Sequence, residues 1–310
     1  MYFFRGSIIA LGVFVLVYVA LSLMVGVGWR WLRRDRRSVS SATAYGLRIL
    51  PLTAALVVVV LFTVPSFLRL EPRWDDEPMG GAVLALASAG LVVLIFGTMN
   101  TLLAWVRTAR RVSSWTANLR ALELQAPVPA FQTPESAPLL AVAGLCRPKL
   151  LVSSCAQRVL GRQELEIAIR HEVAHVRRRD NLKKLLLRAC AFPLLHELER
   201  AWIEAAEIQA DDEAVRDEQS ALDLASALIK LSRLSPRAPA PALAMDLLTG
   251  NPSAVAARVE RLLAWKPRVP SQPRGWYVGV PAALAAAAAA GLTYMWTLAR
   301  IHQFTEFLVR

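Results

Sequence analysis

Two histidines one helical turn apart, with a glutamate beside the first, form the most reactive arrangement in this chain. His171 and His175 enclose Glu172 in the segment His-Glu-Val-Ala-His, and only four histidines occur in 310 residues. Positions four apart share one face of a helix, so both imidazoles could bind one cation. Neutral imidazole binds zinc at about 2.0–2.1 Å, and a neighbouring carboxylate can take a proton from a water molecule at an open position. The spacing predicts a catalytic zinc site with Glu172 as the base; the alternative is two ordinary surface histidines.

The apolar residues around this motif recur every three to four positions. They are Leu165, Ala168, Ile169, Val173 and Val176. This period predicts an amphipathic helix whose buried stripe leaves the two histidines together on a neighbouring face.

A third protein ligand must come from another segment, and the acid-rich stretch 199–213 is the obvious source. Glu207 and Asp211 lie four apart, so a helix would direct Glu207 to the metal and Asp211 to the free ring nitrogen of a ligating histidine. Glu204 shares that face and is the alternative ligand. Without the histidine pair, the same acids would indicate only a solvated helix face.

The two segments together resemble a known family. The run His171-Glu-Val-Ala-His-Val-Arg-Arg-Arg-Asp-Asn-Leu and the later run Glu207-Ile-Gln-Ala-Asp211-Asp-Glu-Ala are similar to the M56 integral-membrane metallopeptidases, typified by beta-lactam sensor-transducers, and more distantly to the M48 group. Residues 138–153 are similar to the strand-turn-strand that precedes the zinc helix in these proteins. The resemblance implies that His171, His175 and Glu207 bind one Zn²⁺ ion, that Glu172 is the base and that Asp211 supports a ligand.

Five further side chains have weaker indications of a role. Asp180 stands where the family carries an acid, and it could pair with a neighbouring arginine or cap the next helix. His196 could donate to an oxyanion, or it could be structural. Cys146, Cys155 and Cys190 lack metal-ligand spacing, and we expect them to be free thiols in a reducing compartment.

Composition predicts a membrane protein. The chain is 55% hydrophobic, and four apolar blocks at 7–27, 49–67, 82–106 and 276–298 approach the ~20 residues that cross a bilayer. The first block could be a secretory signal, but its basic cluster follows it, so we expect a retained span. The last block contains the alanine run 282–290.

Charge placement predicts the orientation of these spans. The loop after the first block holds Arg30, Arg33, Arg34, Arg36, Arg37 and Arg48, whereas the loop after the second mixes basic and acidic residues. The arginine-rich loop should face the cytosol. Residues 112–273 then form a cytosolic domain, both termini are external, and inward loops beside anionic lipid account for the net charge of +12. Direct nucleic-acid binding is not expected, because no basic stripe is interleaved with aromatic residues.

The cytosolic segment should contain a short hairpin and several helices. Strands are predicted at 139–143 and 149–152, and the edge of this hairpin could receive an extended peptide or be purely structural. Residues 235–241 are rich in proline and read as a loop or flap. A packing helix is predicted at 253–265, with Arg258 and Arg261 exposed near lipid headgroups and without a chemical role.

The expected architecture is a mainly α membrane protein. Three transmembrane helices (1–111) precede a cytosolic α+β domain of the zincin-like (gluzincin) type (112–273), and a fourth helix with a short external tail (274–310) follows. By resemblance, the protein is expected in a bacterial-type inner membrane as a zinc endopeptidase. Its substrate would be a cytosolic or membrane-proximal protein, either the chain itself or a transcriptional repressor.

Two other functions stay open at this point, and neither can be separated from the first by residue spacing alone. One is a non-catalytic transducer with a structural zinc, and the other is a quality-control protease like the M48 relatives. Only about a dozen residues follow the last block, so no fused penicillin-binding sensor is expected. The oligomeric state does not follow from the sequence.

Overall fold

The computed structural model describes residues 2–34, 39–72, 79–116, 121–122, 127–133, 139–145, 147–190, 192–234, 245–246, 252–267 and 294–307. The helices are α1 (Tyr2–Arg34), α2 (Ser41–Val58), α3 (Val64–Leu70), α4 (Gly81–Thr116), α5 (Ser154–Val159), α6 (Arg162–Arg177), α7 (Asp180–Ala189), α8 (His196–Ala214), α9 (Glu218–Ser232), α10 (Pro252–Leu263) and α11 (294–307). A π-helical segment, Val59–Thr63, joins α2 to α3, and a 3-10 turn, Pro193–Leu195, precedes α8. The strands are β1 (Ala121–Leu122), β2 (Ala130–Thr133), β3 (Leu140–Ala143), β4 (Lys149–Ser153) and β5 (Met245–Asp246).

The chain divides into two compact units. One contains Met1–Trp31, Ile49–Phe96 and Arg268–Arg310, and the other contains Leu32–Arg48 and Gly97–Pro267. The predicted strands and the predicted zinc-motif helix all fall in the second unit, where β3, β4 and α6 confirm them.

Among the described residues, three helical stretches are long and apolar enough to cross a membrane: Tyr2–Leu32, Ser41–Leu70 and Gly81–Trp115. They contain the predicted blocks 7–27, 49–67 and 82–106. No more than 44% of any of these apolar stretches is buried within the protein, so their outer surfaces need apolar surroundings. The predicted fourth block at 276–298 lies outside the described residues except for 294–298, which belong to α11. The alanine run and the proline-rich loop also lie outside them.

The described residues of the second unit form a five-stranded mixed sheet with the order β1-β2-β4-β3-β5. β3 and β4 form the predicted antiparallel hairpin, with Leu140 opposite Val152 and Ala143 opposite Lys149. Gly144 opens the turn at φ +105°, and an added Cβ would lie 2.9 Å from the carbonyl oxygen of Arg147. A residue with a side chain would be strained at this conformation.

The edge of β3 that faces away from β4 is partly covered by another strand. β5 pairs with β3 at Ala141 and Val142, and β2 runs parallel to β4 on the other side. The sequence-based hypothesis that this edge receives a peptide is therefore restricted to the part of β3 beyond these pairs.

The core of the second unit lies between the sheet and the helices that follow it. α6 packs against β3, α8 and α9, and the predicted stripe residues Ala168, Ile169 and Val173 belong to the buried cluster. Leucines of the sheet and of α9, including Leu140 and Leu228, are fully buried in the same cluster. This packing holds α6 firmly from both sides, which fixes the side chains of its remaining face.

Candidate metal centre

Helix α6 places His171 and His175 one turn apart, and their Nε2 atoms lie 3.2 Å from each other. Glu207 of α8 approaches the same point. Its Oε2 is 3.4 Å from Nε2 of His171, and its Oε1 is 3.6 Å from Nε2 of His175. All three side chains are buried. Two segments well separated along the chain thus bring two imidazole nitrogens and a carboxylate to one point, as the sequence predicted.

The distances within this group suit a tetrahedral cation. Bonds of 2.0–2.1 Å at tetrahedral angles place neighbouring ligand atoms about 3.4 Å apart, and the separations here are 3.2, 3.4 and 3.6 Å. Both oxygens of Glu207 are buried: Oε2 forms an ion pair with Nη1 of Arg258 at 2.9 Å, whereas Oε1 makes no hydrogen bond within the described part of the chain. A buried carboxylate is costly unless its oxygens are satisfied. The residues present therefore fit a bound metal ion.

The Nδ1 atom of each imidazole contacts its own carboxylate. Asp211 Oδ1 lies 2.9 Å from Nδ1 of His171, and Asp180 Oδ2 lies 2.8 Å from Nδ1 of His175. A carboxylate at Nδ1 keeps the ring proton there and directs the Nε2 lone pair to the cation. Asp211 thus lies where the sequence placed it, one turn after Glu207 on α8.

Asp180 has a larger role in the structure than a helix cap. It is the first residue of α7 and is fully buried. Besides His175, it contacts Arg178 at 3.2 Å, which is the neighbouring-arginine pair suggested by the sequence, and Lys183 at 2.9 Å. Arg179 connects α6 to α7 in the left-handed conformation, φ 54°, and this tight turn brings the carboxylate back onto the histidine of the preceding helix.

Glu172 of α6 is buried beside the group formed by His171, His175 and Glu207, and its Oε2 accepts a hydrogen bond of 3.0 Å from the backbone N–H of Val142 in β3. The sheet therefore fixes the orientation of this carboxylate. A carboxylate next to two candidate ligands, held by a strand, is suitably placed to exchange protons with a reactant at the same centre.

Arg258 of α10 is a site residue that the sequence analysis placed wrongly. Its side chain was expected at the surface near lipid headgroups, but it is only 4% exposed. Nε and Nη2 donate to the two oxygens of Asp211 at 2.9 and 2.7 Å, and Nη1 lies 2.9 Å from Oε2 of Glu207. Arg261, one turn later, pairs with Asp212 and is 26% exposed. The guanidinium of Arg258 thus balances the carboxylates around His171.

These charges change the proton affinity of the metal-free centre. Burial would lower the pKa of His171, but Asp211 and Glu207 outweigh it and raise this pKa to about 9. Burial lowers the pKa of His175. For Asp211, burial opposes ionisation, but the positive charge of Arg258 and the contact with His171 lower its pKa.

Two sequence candidates lie apart from this group. Glu204 and His196 are both exposed on α8, and neither joins the set of convergent ligand atoms formed by His171, His175 and Glu207. The structure thus favours Glu207 over Glu204 as the third ligand. The thiols of Cys155 and Cys190 are free, as expected, and Cys146 lies outside the described residues.

Two cavities reach the centre from different sides. One, of about 340 Å³, is lined by Glu207 and Arg258 together with residues of α8 and α10. The other, of about 400 Å³, is lined by His175, by Arg179 and Asn181, and by apolar side chains of α6, α7 and the β3–β4 turn. Volumes of this size admit a substrate side chain.

The sequence also agrees with a described family along much of its length. A family model described as BlaR1 peptidase M56 matches residues 72–262, more than half of the chain. The matched range includes every residue of the candidate centre. No curated protein matches the chain. The chain belongs to the M56 family of metallopeptidases.

Proposed function

We propose that this protein is an integral-membrane zinc endopeptidase that hydrolyses peptide bonds of a cytosolic or membrane-proximal protein. The observation that carries this proposal is the buried convergence of two Nε2 atoms and one carboxylate within 3.2–3.6 Å, with an acid on the far nitrogen of each imidazole. Imidazole and carboxylate ligands at these separations are typical of zinc.

His171, His175 and Glu207 would hold the ion. Bound zinc supplies Lewis acidity that polarises a carbonyl group and makes water more acidic. Asp211 and Asp180 would keep each imidazole in the ligating tautomer. Among the described histidine, cysteine and acidic side chains, the group around α6 has three members. Three protein ligands are typical of a catalytic rather than a structural zinc site, which supports an enzyme.

Glu172 would act as the general base. The N–H of Val142 holds its Oε2, and we assign proton transfer to Oε1. This atom takes a proton from the attacking water as the water oxygen bonds to the carbonyl carbon. It then gives the proton to the amide nitrogen as the C–N bond breaks. The products are a carboxyl group and an amine, so no further reactant is needed.

The membrane arrangement that we propose has four spans, with the peptidase domain in the cytosol of a bacterial-type cell and both termini outside. The three apolar helices and the arginine-rich segment 30–48 support it. The substrate would be this chain itself or a transcriptional repressor, and cleavage would transmit a signal received at the outer loops, in the lipid or by a partner protein.

The decisive experiment replaces Glu172 by Gln in the full-length protein. Gln retains an oxygen that can accept the N–H of Val142 but cannot take a proton, so zinc should stay bound while cleavage of co-expressed proteins falls by about 10²-fold or more. Glu166→Gln is the matched control, because Glu166 is an exposed acid on the same helix. Cleavage that persists unchanged in the Glu172 variant would show that the assigned mechanism is wrong. Absence of any cleavage by the unmodified protein would favour a non-catalytic transducer with a structural zinc, and loss of many unrelated products in the variant would favour a broad quality-control protease.

A further inference from the structure

Both Glu172 and Asn181 are attached to the backbone of Val142. The N–H of Val142 donates to Oε2 of Glu172 at 3.0 Å, and its carbonyl oxygen accepts from Nδ2 of Asn181 at 3.2 Å. In a β-strand, the N–H and C=O of one residue point to the same edge. The proposed base and the amide of Asn181 therefore lie on the same edge of β3.

The amide of Asn181 has only one orientation that satisfies these contacts. Nδ2 donates to the carbonyl oxygens of Val142 and of Gly144, the latter at 3.1 Å. Oδ1 must then point away from the strand. This oxygen is buried and has no hydrogen-bond partner within the described chain, and the side chain as a whole is only 8% exposed. A buried acceptor without a donor is unfavourable, so Oδ1 is suited to receive a donor from a ligand.

Asn181 also lines the cavity of about 400 Å³ that contains His175. Five other lining residues are apolar, namely Val142, Leu145, Pro148, Val176 and Leu182, and Gly144 and the charged Arg179 complete the lining. The cavity thus combines one buried acceptor without a partner with largely apolar walls next to a candidate metal ligand. This combination suits a peptide, which offers a backbone N–H and an apolar side chain at a fixed separation.

We propose that Asn181 is a substrate-binding residue whose Oδ1 accepts one backbone N–H of an extended peptide, while a bulky apolar side chain of that peptide enters this cavity. The inference rests on the proposed peptidase function and adds the class of substrate. It also replaces simple addition of a strand to β3, because the polar groups of Val142 already bind Glu172 and Asn181. The side-chain amide extends the strand edge and presents its own acceptor instead.

The test uses the full-length Glu172→Gln protein in detergent, loaded with zinc, and measures peptide binding without cleavage. The probe is acetyl-Lys-Ala-Ala-Phe-Ala-Ala-Lys-amide, together with versions in which one peptide nitrogen at a time is methylated. Methylation at one position should raise Kd by about tenfold, as for one lost hydrogen bond. In the double variant Glu172→Gln, Asn181→Ala, methylation at that position should change Kd less than twofold. An equal penalty in both proteins would overturn the role of Asn181.

A second pair of variants tests the cavity without altering Asn181. Leu182 lines the cavity and is 40% exposed, and Leu186 lies one turn later on α7 at 42% exposure without lining it. Leu182→Asp should weaken binding of the phenylalanine peptide about tenfold, and Leu186→Asp should not. Equal effects of the two substitutions, or no binding of peptides with Phe, Leu or Trp at the centre, would overturn the assignment of the cavity.

The outcomes separate this inference from the proposed function. In one outcome, the protein with intact Glu172 cleaves the parent peptide while methylation has no position-specific effect on binding. This outcome would support the proposed peptidase activity and contradict the role of Asn181. Position-specific binding by a protein that cleaves no peptide would support the Asn181 binding site and contradict the proposed peptidase activity.

Discussion

Arg258 and Asp211 form a buried bidentate ion pair, with Nε and Nη2 of the arginine bound to the two carboxylate oxygens at 2.9 and 2.7 Å. This pair joins α10 to α8 directly behind His171, because the same aspartate contacts Nδ1 of that histidine at 2.9 Å. The charge on a helix that appeared to serve only packing is therefore connected to the candidate metal centre through one carboxylate.

Replacing Arg258 by Met should destabilise the protein strongly. The substitution leaves Asp211 and Glu207 as buried carboxylates without their shared cation, and breaking a buried pair on one side typically costs about 3–5 kcal/mol in the free energy of unfolding. Thermal unfolding of the metal-free protein measures the effect. Arg170→Met is the control, because Arg170 forms an exposed pair with Glu166 on α6, and such pairs contribute about 0–1 kcal/mol. Similar losses in both variants would contradict the buried role of Arg258.

Replacing Glu207 by Ala should remove the metal, whereas Glu204→Ala should not. Glu207 is 1% exposed with its oxygens 3.4 and 3.6 Å from the imidazole nitrogens, and Glu204 is exposed on the same helix. Zinc content of the purified protein distinguishes them. Full zinc occupancy in the Glu207 variant, with loss in the Glu204 variant, would move the third ligand by one turn.

Acid should weaken the contact between α6 and α9 through Glu164. Its carboxylate accepts from Lys230 Nζ at 2.7 Å to each oxygen, from Ser226 and from the N–H of Gly161. Burial opposes ionisation, but these donors outweigh it and lower the pKa of Glu164 below 4.5. The ionised carboxylate therefore stabilises the fold above about pH 4.5, and this contribution disappears as pH falls through the lowered folded-state pKa.

Glu164→Gln should remove that part of the pH dependence. Stability of the variant and of the unmodified protein should differ most at neutral pH, and the two should converge in acid. Unfolding curves recorded between neutral pH and about pH 3 measure the difference. A difference that is constant across this range would show that ionisation of Glu164 does not contribute.

Gly97 should not tolerate a methyl group. A Cβ at this position of α4 would lie 2.5 Å from the carbonyl oxygen of Ala189, a backbone atom at the end of α7. Gly97→Ala should therefore cost about 1–3 kcal/mol, as for other overpacked sites. A Cβ at Gly46 in α2 would meet no heavy atom within 4 Å, so Gly46→Ala should be neutral or gain up to about 1 kcal/mol of helix propensity. Melting temperatures of the two variants test the comparison.

The sequence predicted the parts of the centre that depend on local periodicity. The histidines and Glu172 lie within one helix, and Glu207 and Asp211 lie within another, so the spacing of 3.6 residues per turn sets their faces. The apolar repeats likewise located α6, and the long apolar blocks located the three helices that could cross a membrane. In each of these cases, the positions that matter lie within a few turns of one another.

The features that the sequence missed depend on contacts between distant segments. Arg258 follows Val255 by three residues and precedes Leu262 by four, so it lies on the buried stripe of α10, and this spacing could have indicated a buried guanidinium. Charge instead favoured an exposed position, because the buried acids that it pairs with lie on another helix. β5 has two residues, which is too short for an alternation of apolar and polar side chains to predict its pairing with β3. The orphan oxygen of Asn181 becomes visible only once both of its strand contacts are known.

The position of Arg258 on α10 has a consequence for how the protein assembles. Side chains from α6, α7, α8 and α10 meet around a single point, although these helices follow one another over 102 residues of chain, from Arg162 to Leu263. Before these side chains come together, the chain lacks a complete set of metal ligands, so it binds a cation only weakly. Metal uptake and the final closure of these long loops should thus be one cooperative event, so that a chain depleted of zinc becomes easier for other proteases to degrade.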